Sequence, residues 1–225
     1  MEEQFIYKNK YLKEEETILL KVIQNNDKNY VVIDKNIFYP QGGGQKGDRG
    51  KLIIGDANYE VTNTVKNPNN ISEAMLEIQE KLDESHVGNT VKVVLDWNFR
   101  YQQMRLHSAL HLVHYFLENL LGNIQYPTLS MINLDGTALN QYEDERITDE
   151  VALKVYLLLV EEVKKENSIG TYPDKTKEGY RYWKYQDSII PCVGTHVDNT
   201  KEIGKINYDY SFKKGHQTIK IILEN

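Results

Sequence analysis

Two histidines stand four residues apart in His107-Ser108-Ala109-Leu110-His111. On a helix this spacing places them one turn apart on the same face, where both imidazoles can reach one metal ion. A cysteine and a histidine are again four apart in Pro191-Cys192-Val193-Gly194-Thr195-His196, and Cys192 is the only cysteine in the chain. Thiolate and imidazole are preferred zinc donors, and a bound metal deprotonates a coordinating thiol. The two halves together predict one zinc ion held by His107, His111 and Cys192, with His196 either a fourth ligand or a proton carrier beside it. Three protein ligands leave a position for water or substrate, and four close the site; the residues alone leave both open. The competing reading of a lone cysteine is a small buried hydrophobe. His114 shares the broad face of the same helix and is read as a packing residue or an outer hydrogen-bond partner.

A second chemical signal is the segment Phe38-Tyr39-Pro40-Gln41-Gly42-Gly43-Gly44-Gln45-Lys46-Gly47-Asp48-Arg49-Gly50. It is neither a P-loop, since no Gly-Lys-Ser/Thr follows, nor a dinucleotide-binding GxGxxG. Glycine allows positive φ and close backbone approach, so the loop can press against a substrate or against the other subdomain, with a flexible β-turn as the alternative; Gly42, Gly43, Gly44, Gln45 and Asp48 are its candidate substrate-binding residues.

These residues need elements to position them. Residues 1–95 read as β-rich: short apolar runs at Thr17–Ile23, Tyr30–Asp34, Lys51–Ile54, Tyr59–Thr62 and Val91–Leu95, separated by Gly, Asn and Asp, predict a small barrel or folded sheet. Ser72–Leu82 reads as a short helix capped by Ser72. From Asp96 the pattern changes. Arg100–Leu121 has helical periodicity, with Asp96 or Asn98 at its start and Gly122 at its end. A second helix is predicted over Asp149–Glu166 with Thr148 as cap, and strands at Tyr180–Tyr185, Lys205–Tyr210 and Thr218–Leu223. The expected class is α+β, with a β-rich part over 1–95 and a zinc-binding part over 96–225.

The chain of 225 residues carries a net charge of −6, which argues against a general nucleic-acid binder. A modest basic and aromatic surface remains available: Lys175, Lys177, Arg181, Lys184, Lys213 and Lys214 with Tyr172, Tyr180 and Tyr182. The single cysteine excludes a disulfide framework. The acidic start, with neither basic nor apolar stretch, and the absence of a spanning apolar run point to a cytoplasmic protein with no membrane partner.

The zinc motifs, the flanking Asp96-Trp97, Arg100-Tyr101 and Met104-Arg105-Leu106, the loop continuation through Val197 and Asn199-Thr200, and the glycine-rich segment occur in one order. In that order the chain resembles the AlaX family, free-standing relatives of the alanyl-tRNA synthetase editing domain, and within it the medium-length form. The resemblance departs at Val193, where the family usually has Gly, and in Tyr126–Asn133. It implies a small β-barrel-like subdomain packed on an α/β editing domain, of the kind also found in threonyl-tRNA synthetase. It implies an aminoacyl-tRNA deacylase acting in trans on tRNA for alanine wrongly charged with serine and also glycine, with no aminoacylation and no obligatory protein partner. It places the glycine-rich segment near the zinc and makes Gln125 a site residue.

Under that reading zinc polarises the ester carbonyl, binds the α-amino group or activates water. Sparing alanine requires a contact to the serine hydroxyl, and Ser108 and Thr195, inside the two zinc motifs, are the candidates for it; His196 is a candidate catalytic residue as the proton carrier. Lys184 and Lys213 are candidate RNA contacts. The alternatives are a zinc hydrolase for a small ester or amide, and a zinc-stabilised RNA-binding module without catalysis.

Overall fold

The structure, a computed structural model, describes residues 4–25, 27–177 and 179–224. By its internal contacts the chain divides into two units: Met1–Gly42 with Lys46–Arg100, and Gly43–Gln45 with Tyr101–Asn225. The tripeptide Gly43–Gln45 thus belongs to the second unit although both its neighbours in sequence belong to the first.

After a single helical turn, α1 (Phe5–Lys8), the first unit is a closed six-stranded barrel in the order β1-β2-β5-β4-β3-β6. The strands are β1 Glu14–Asn25, β2 Lys28–Ile33, β3 Gly50–Ile54, β4 Ala57–Asn67, β5 Asn70–Ile78 and β6 Thr90–Leu95. Alternating residues point inward, as the pleat requires. Along β6 these are Val91, Val93 and Leu95. They meet Leu19, Val31, Leu52, Val61 and Leu76 in a core that excludes water. Each such side chain contributes roughly 1.5–3 kcal/mol on burial. The antiparallel pair β1–β6, with Thr17 opposite Val91, closes the barrel and leaves no sheet edge.

The predicted helix over Ser72–Leu82 is absent. Ala74-Met75-Leu76-Glu77 are good helix formers, yet they lie in β5, paired with β2 (Val31 opposite Leu76) and β4. Pairing on both sides and burial of Leu76 and Ile78 outweigh local propensity. Asn25–Asn29, the turn-like stretch between the first two apolar runs, includes Asn26, which lies outside the described residues.

The glycine-rich segment ends in a buried ion pair of the first unit. Arg100 and Asp48 are both fully buried and in contact. The Arg100 guanidinium also donates to the Ile37 carbonyl at 2.7 Å and the Lys10 carbonyl at 3.3 Å. Arg100 stands in the first turn of α2 (Trp97–Leu121). Asp96 Oδ1 accepts from the Phe99 N–H at 3.1 Å as the helix cap, and Gly122, at φ +75°, ends the helix.

In the second unit α2 buries Met104, Ala109, Leu112, Val113 and Leu117. Two sheets belong to this unit. One has four strands in the order β12-β13-β8-β7: β7 Leu129–Ile132, β8 Thr137–Tyr142, β12 Ile206–Lys213 and β13 His216–Leu223. The other has three, β11-β10-β9: β9 Gly170–Pro173, β10 Arg181–Tyr185 and β11 Ser188–Pro191. Asn140 of β8 donates to the Leu110 carbonyl of α2 at 3.0 Å. Helix α3 (Asp149–Glu162) starts where Thr148 Oγ1 accepts from the Val151 N–H at 3.3 Å, and it stops four residues short of the expected end. No described helix is long and apolar enough to cross a membrane.

Candidate metal centre and cavity

His107 and His111 project from adjacent turns of α2, with ring centroids 5.1 Å apart. Cys192 and His196 come from the loop that follows β11. The Cys192 N–H donates to the Arg181 carbonyl of β10 at 2.9 Å, which fixes where that loop begins. One donor atom from each of the four side chains lies within 4.8 Å of the other three, and the group could hold a metal ion. Cys192 Sγ is 3.5 Å from His107 Nε2 and 3.2 Å from His196 Nε2. The first separation matches the edge, about 3.5 Å, of a tetrahedron with a metal–sulfur bond of about 2.3 Å and a metal–nitrogen bond of about 2.0 Å, and the second is somewhat shorter than it.

Partners outside the cluster orient the rings. His107 Nδ1 is 3.1 Å from Gln45 Oε1, and His196 Nδ1 is 3.3 Å from Ser108 Oγ. With Nδ1 holding the proton in each ring, Nε2 is left as the donor atom. Ser108 Oγ also accepts from the Val197 N–H at 3.2 Å, so one hydroxyl ties α2 to the loop. His111 lies against Trp183, 4.8 Å between centroids and 25° between planes.

Around the cluster, glycine is required at Gly194 and Gly44. A Cβ on Gly194 would collide with the His107 imidazole. Gly44 has φ +82°, and a Cβ there would strike the Ser130 carbonyl of β7. The Gly44 carbonyl in turn accepts from the Ile132 N–H at 3.1 Å. The loop continuation past Val193 therefore keeps the one glycine that the packing needs.

Burial sets the protonation of the cluster. It pulls His107 down to about 4 and His111 well below its ordinary value, the latter helped by the neighbouring His107 and His114. Both are neutral imidazoles at pH 7, the form that binds metal. Burial pushes the Cys192 thiol up to about 11, against the pull of the Gly194 N–H and Arg181. This thiol becomes a thiolate at neutral pH only against a cation. One thiolate with imidazoles is a donor set suited to zinc and unlike the oxygen-rich sets of magnesium or calcium.

A cavity of about 410 Å³ opens beside the cluster, within the second unit. His107, His111 and Cys192 line it, as do Gly43 and Gly44. Of the predicted site residues, these and the adjacent Gln45 and His196 are gathered in one place. Ser108 and Thr195 are fully or nearly fully buried, hydrogen-bonded within the protein, and absent from the cavity wall. Gly42 and Asp48 lie in the first unit, where the Gly42 carbonyl accepts from Tyr39 Oη at 3.1 Å and Asp48 pairs with Arg100. Gln125 is exposed after α2 and does not line the cavity; the next residue, Tyr126, does. Lys184 and Lys213 are exposed on β10 and β12, away from the cavity wall. Arg181, grouped with the surface cations by sequence, is only 5% exposed.

Sequence reasoning read His114 as a packing or outer hydrogen-bond residue without placing it at a cavity, and it passed over Tyr126, Ser130 and Asn140, which line the cavity too. His114 is 4% exposed, its Nδ1 has no hydrogen-bond partner among the described residues, and burial pulls it down to about 4. Its position one further turn along the His107–His111 face was the available signal. Ser130 and Asn140 belong to β7 and β8, two strands that carried no clear alternation, and Ser130 Oγ donates to Asn140 Oδ1 at 2.7 Å.

A family model described as tRNA synthetases class II (A) matches residues 3–99. The chain is 30% identical to the alanyl-tRNA editing protein AlaX-M of Pyrococcus horikoshii, over 100% of this chain and 99% of that protein. It is 30% identical to AlaX-L of the same organism over 98% of this chain, and spans 57% of that relative's length. An alanine–tRNA ligase of Thermococcus kodakarensis is 31% identical over 89% of the chain, which spans 23% of the ligase.

Proposed function

Given that the chain belongs to the AlaX family of alanyl-tRNA editing proteins, we propose that it is a zinc-dependent deacylase acting in trans on tRNA for alanine charged with serine, and also with glycine. The observation that carries the reading is the open cavity walled on one side by the His107–His111–Cys192 cluster. A purely structural zinc in an RNA-binding module has no use for such a space. In this reading residues 96–225 form the editing part and residues 1–95 the β-rich part. Zinc is the single cofactor, tRNA the partner, and the cytoplasm the location.

His107, His111 and Cys192 hold the ion, and His196 stands 3.2 Å from Cys192 Sγ as the fourth donor or, off the metal, as a proton carrier at Nε2. Bound zinc supplies a Lewis acid for the ester carbonyl or lowers the pKa of water. The remaining work falls to the chain. Gln45 holds the His107 ring, Ser108 holds His196, and Trp183 backs His111. Pro127, Ile132, Ile190 and Pro191 give the cavity an apolar lining that keeps bulk water from the ester. Gly43 and Gly44 bring bare backbone to the cavity wall. Lys184 and Lys213 serve as outlying phosphate contacts.

The decisive experiment is deacylation of Ser-, Gly- and Ala-charged tRNA for alanine, with and without chelator. The expected result is chelator-sensitive loss of serine and glycine with alanine retained. Hydrolysis of small esters but of no charged tRNA would favour the small-substrate enzyme instead.

A further inference from the structure

A run of stacked rings leads from the interior of the second unit to the cavity. Tyr142 is 2% exposed and His114 4% exposed, with nearly parallel planes 3° apart and centroids at 6.1 Å. Tyr126 stacks on His114 at 5.0 Å and 29°, and is itself 57% exposed. His114 and Tyr126 both line the cavity. An exposed tyrosine at the end of a chain usually rotates freely; this one is held from beneath by a buried ring. Tyr180, also 57% exposed, lines the same cavity, with the Lys177 ammonium 5.5 Å from its ring centroid.

Size points the same way. A cavity of about 410 Å³ falls in the range of roughly 300–1,000 Å³ that encloses ligands of drug size. A two- or three-carbon aminoacyl group occupies a small part of it. The remainder suits the nucleoside to which that group is esterified, and held aromatic faces beside a cation are how proteins take an unpaired base.

We propose that Tyr126, backed by His114 and Tyr142, is the base-stacking platform of a nucleoside subsite, with Tyr180 as its second aromatic wall. It holds the 3′-terminal nucleoside of the RNA whose ester is cleaved. The identification of that nucleoside rests on the RNA-ester reading above. Stacking uses the π face common to all bases, so the subsite requires a base and tolerates its identity.

The test is calorimetric binding of the RNA trinucleotide CCA, the 3′ end common to tRNAs, and of the same molecule lacking its terminal base. The wild type is expected to prefer CCA by roughly 5- to 150-fold, the range for stacking one base. Tyr126→Ala should abolish that preference with metal content unchanged, while Tyr126→Phe keeps it; Tyr180→Ala should reduce it. Equal affinity of the wild type for the two probes, or a preference that survives Tyr126→Ala, overturns the subsite. Deacylation of Ser-tRNA by the wild type, measured separately, keeps the two ideas apart. Base-dependent binding without deacylation supports the subsite and sinks the hydrolase; deacylation with base-independent binding does the reverse.

Discussion

Gln45 and Thr195, 150 residues apart in sequence, are joined by two hydrogen bonds: the Thr195 N–H donates to Gln45 Oε1 at 3.0 Å, and Gln45 Nε2 donates to Thr195 Oγ1 at 2.8 Å. Gln45 Oε1 is at the same time the acceptor facing His107 Nδ1. One amide thus sets both the ring of a helix ligand and the backbone of the loop that carries Cys192 and His196. Gln45→Ala should lower zinc affinity roughly 10- to 100-fold, the usual effect of losing an outer partner of a metal ligand. Competition with a chromophoric chelator measures it. Unchanged affinity would mean that His107 is held by packing alone.

How much of this arrangement was legible in the sequence depends on distance. The His107–His111 pair is local, since a helical turn alone brings it together, and the caps Asp96, Gly122 and Thr148 are as local as turns. The Gln45–Thr195 pairing is invisible to any window of sequence, because it exists only once a tripeptide inside the β-rich stretch joins the second unit. β5 was misread because Met75 and Leu76 are helix formers, while the residues that hold Leu76 in a strand, Thr64 of β4 and Val31 of β2, lie 12 and 45 residues away. Tyr126 was missed because its neighbour Gln125 matched a family pattern, while the ring that gives Tyr126 its place, His114, stands on another element.

Proton release on metal binding should report Cys192 alone. At pH 7 the thiol, pushed up to about 11, is protonated, while His107, pulled down to about 4, is already neutral. Zinc binding should therefore release about one proton per ion. Calorimetry in two buffers of different protonation enthalpy gives the number. Cys192→Ser should bring it near zero and weaken binding sharply. Release of two or more protons from the wild type, persisting at pH 6 where metal-bound water keeps its proton, would show that the histidines start out charged.

Gly43 and Gly44 should respond differently to alanine. Both have positive φ, +57° and +82°. A Cβ on Gly43 meets nothing within 4 Å, whereas one on Gly44 strikes the Ser130 carbonyl. Gly43→Ala should cost about 1 kcal/mol from backbone conformation alone. Gly44→Ala adds the displacement of β7 from the cavity wall and should lower kcat/KM at full metal content. Equal effects in urea unfolding and in activity would argue against that close approach.

The metal-free protein should lose stability as pH falls from about 6.5 to about 4. Burial lowers His114 and His107 from 6.5 to about 4 in the folded chain. Across that window the unfolded chain binds protons that the folded chain refuses, so the contribution is complete above 6.5 and declines below it. His114→Phe keeps an aromatic ring between Tyr126 and Tyr142 and removes one of the two groups. The difference in denaturation midpoint between pH 7 and pH 5 should shrink in this variant. An unchanged difference would mean that His114 is protonated in the folded state.

The hydroxyls inside the zinc motifs should govern metal retention, and a hydroxyl on the cavity wall should govern the choice between serine and alanine. Ser108 Oγ is fully buried and engaged with His196 Nδ1 and the Val197 N–H; Thr195 Oγ1 is engaged by Gln45 Nε2. Neither reaches the cavity. Ser130 does, and its hydroxyl turns on Asn140 Oδ1 at 2.7 Å. An incoming serine side chain can complete the hydrogen bonding of that pair, and alanine leaves it desolvated and short of a partner, at a cost of about 1–3 kcal/mol. That is roughly a ten- to hundredfold preference in kcat/KM. Ser130→Ala should therefore narrow the Ser-tRNA to Ala-tRNA ratio by about that factor with zinc content intact. Ser108→Ala and Thr195→Val should lower zinc occupancy and leave the ratio, once corrected for occupancy, where it was. The reverse pattern, a collapsed ratio at full occupancy in either of those two variants and none in Ser130→Ala, would place the serine side chain against the metal loop and away from β7.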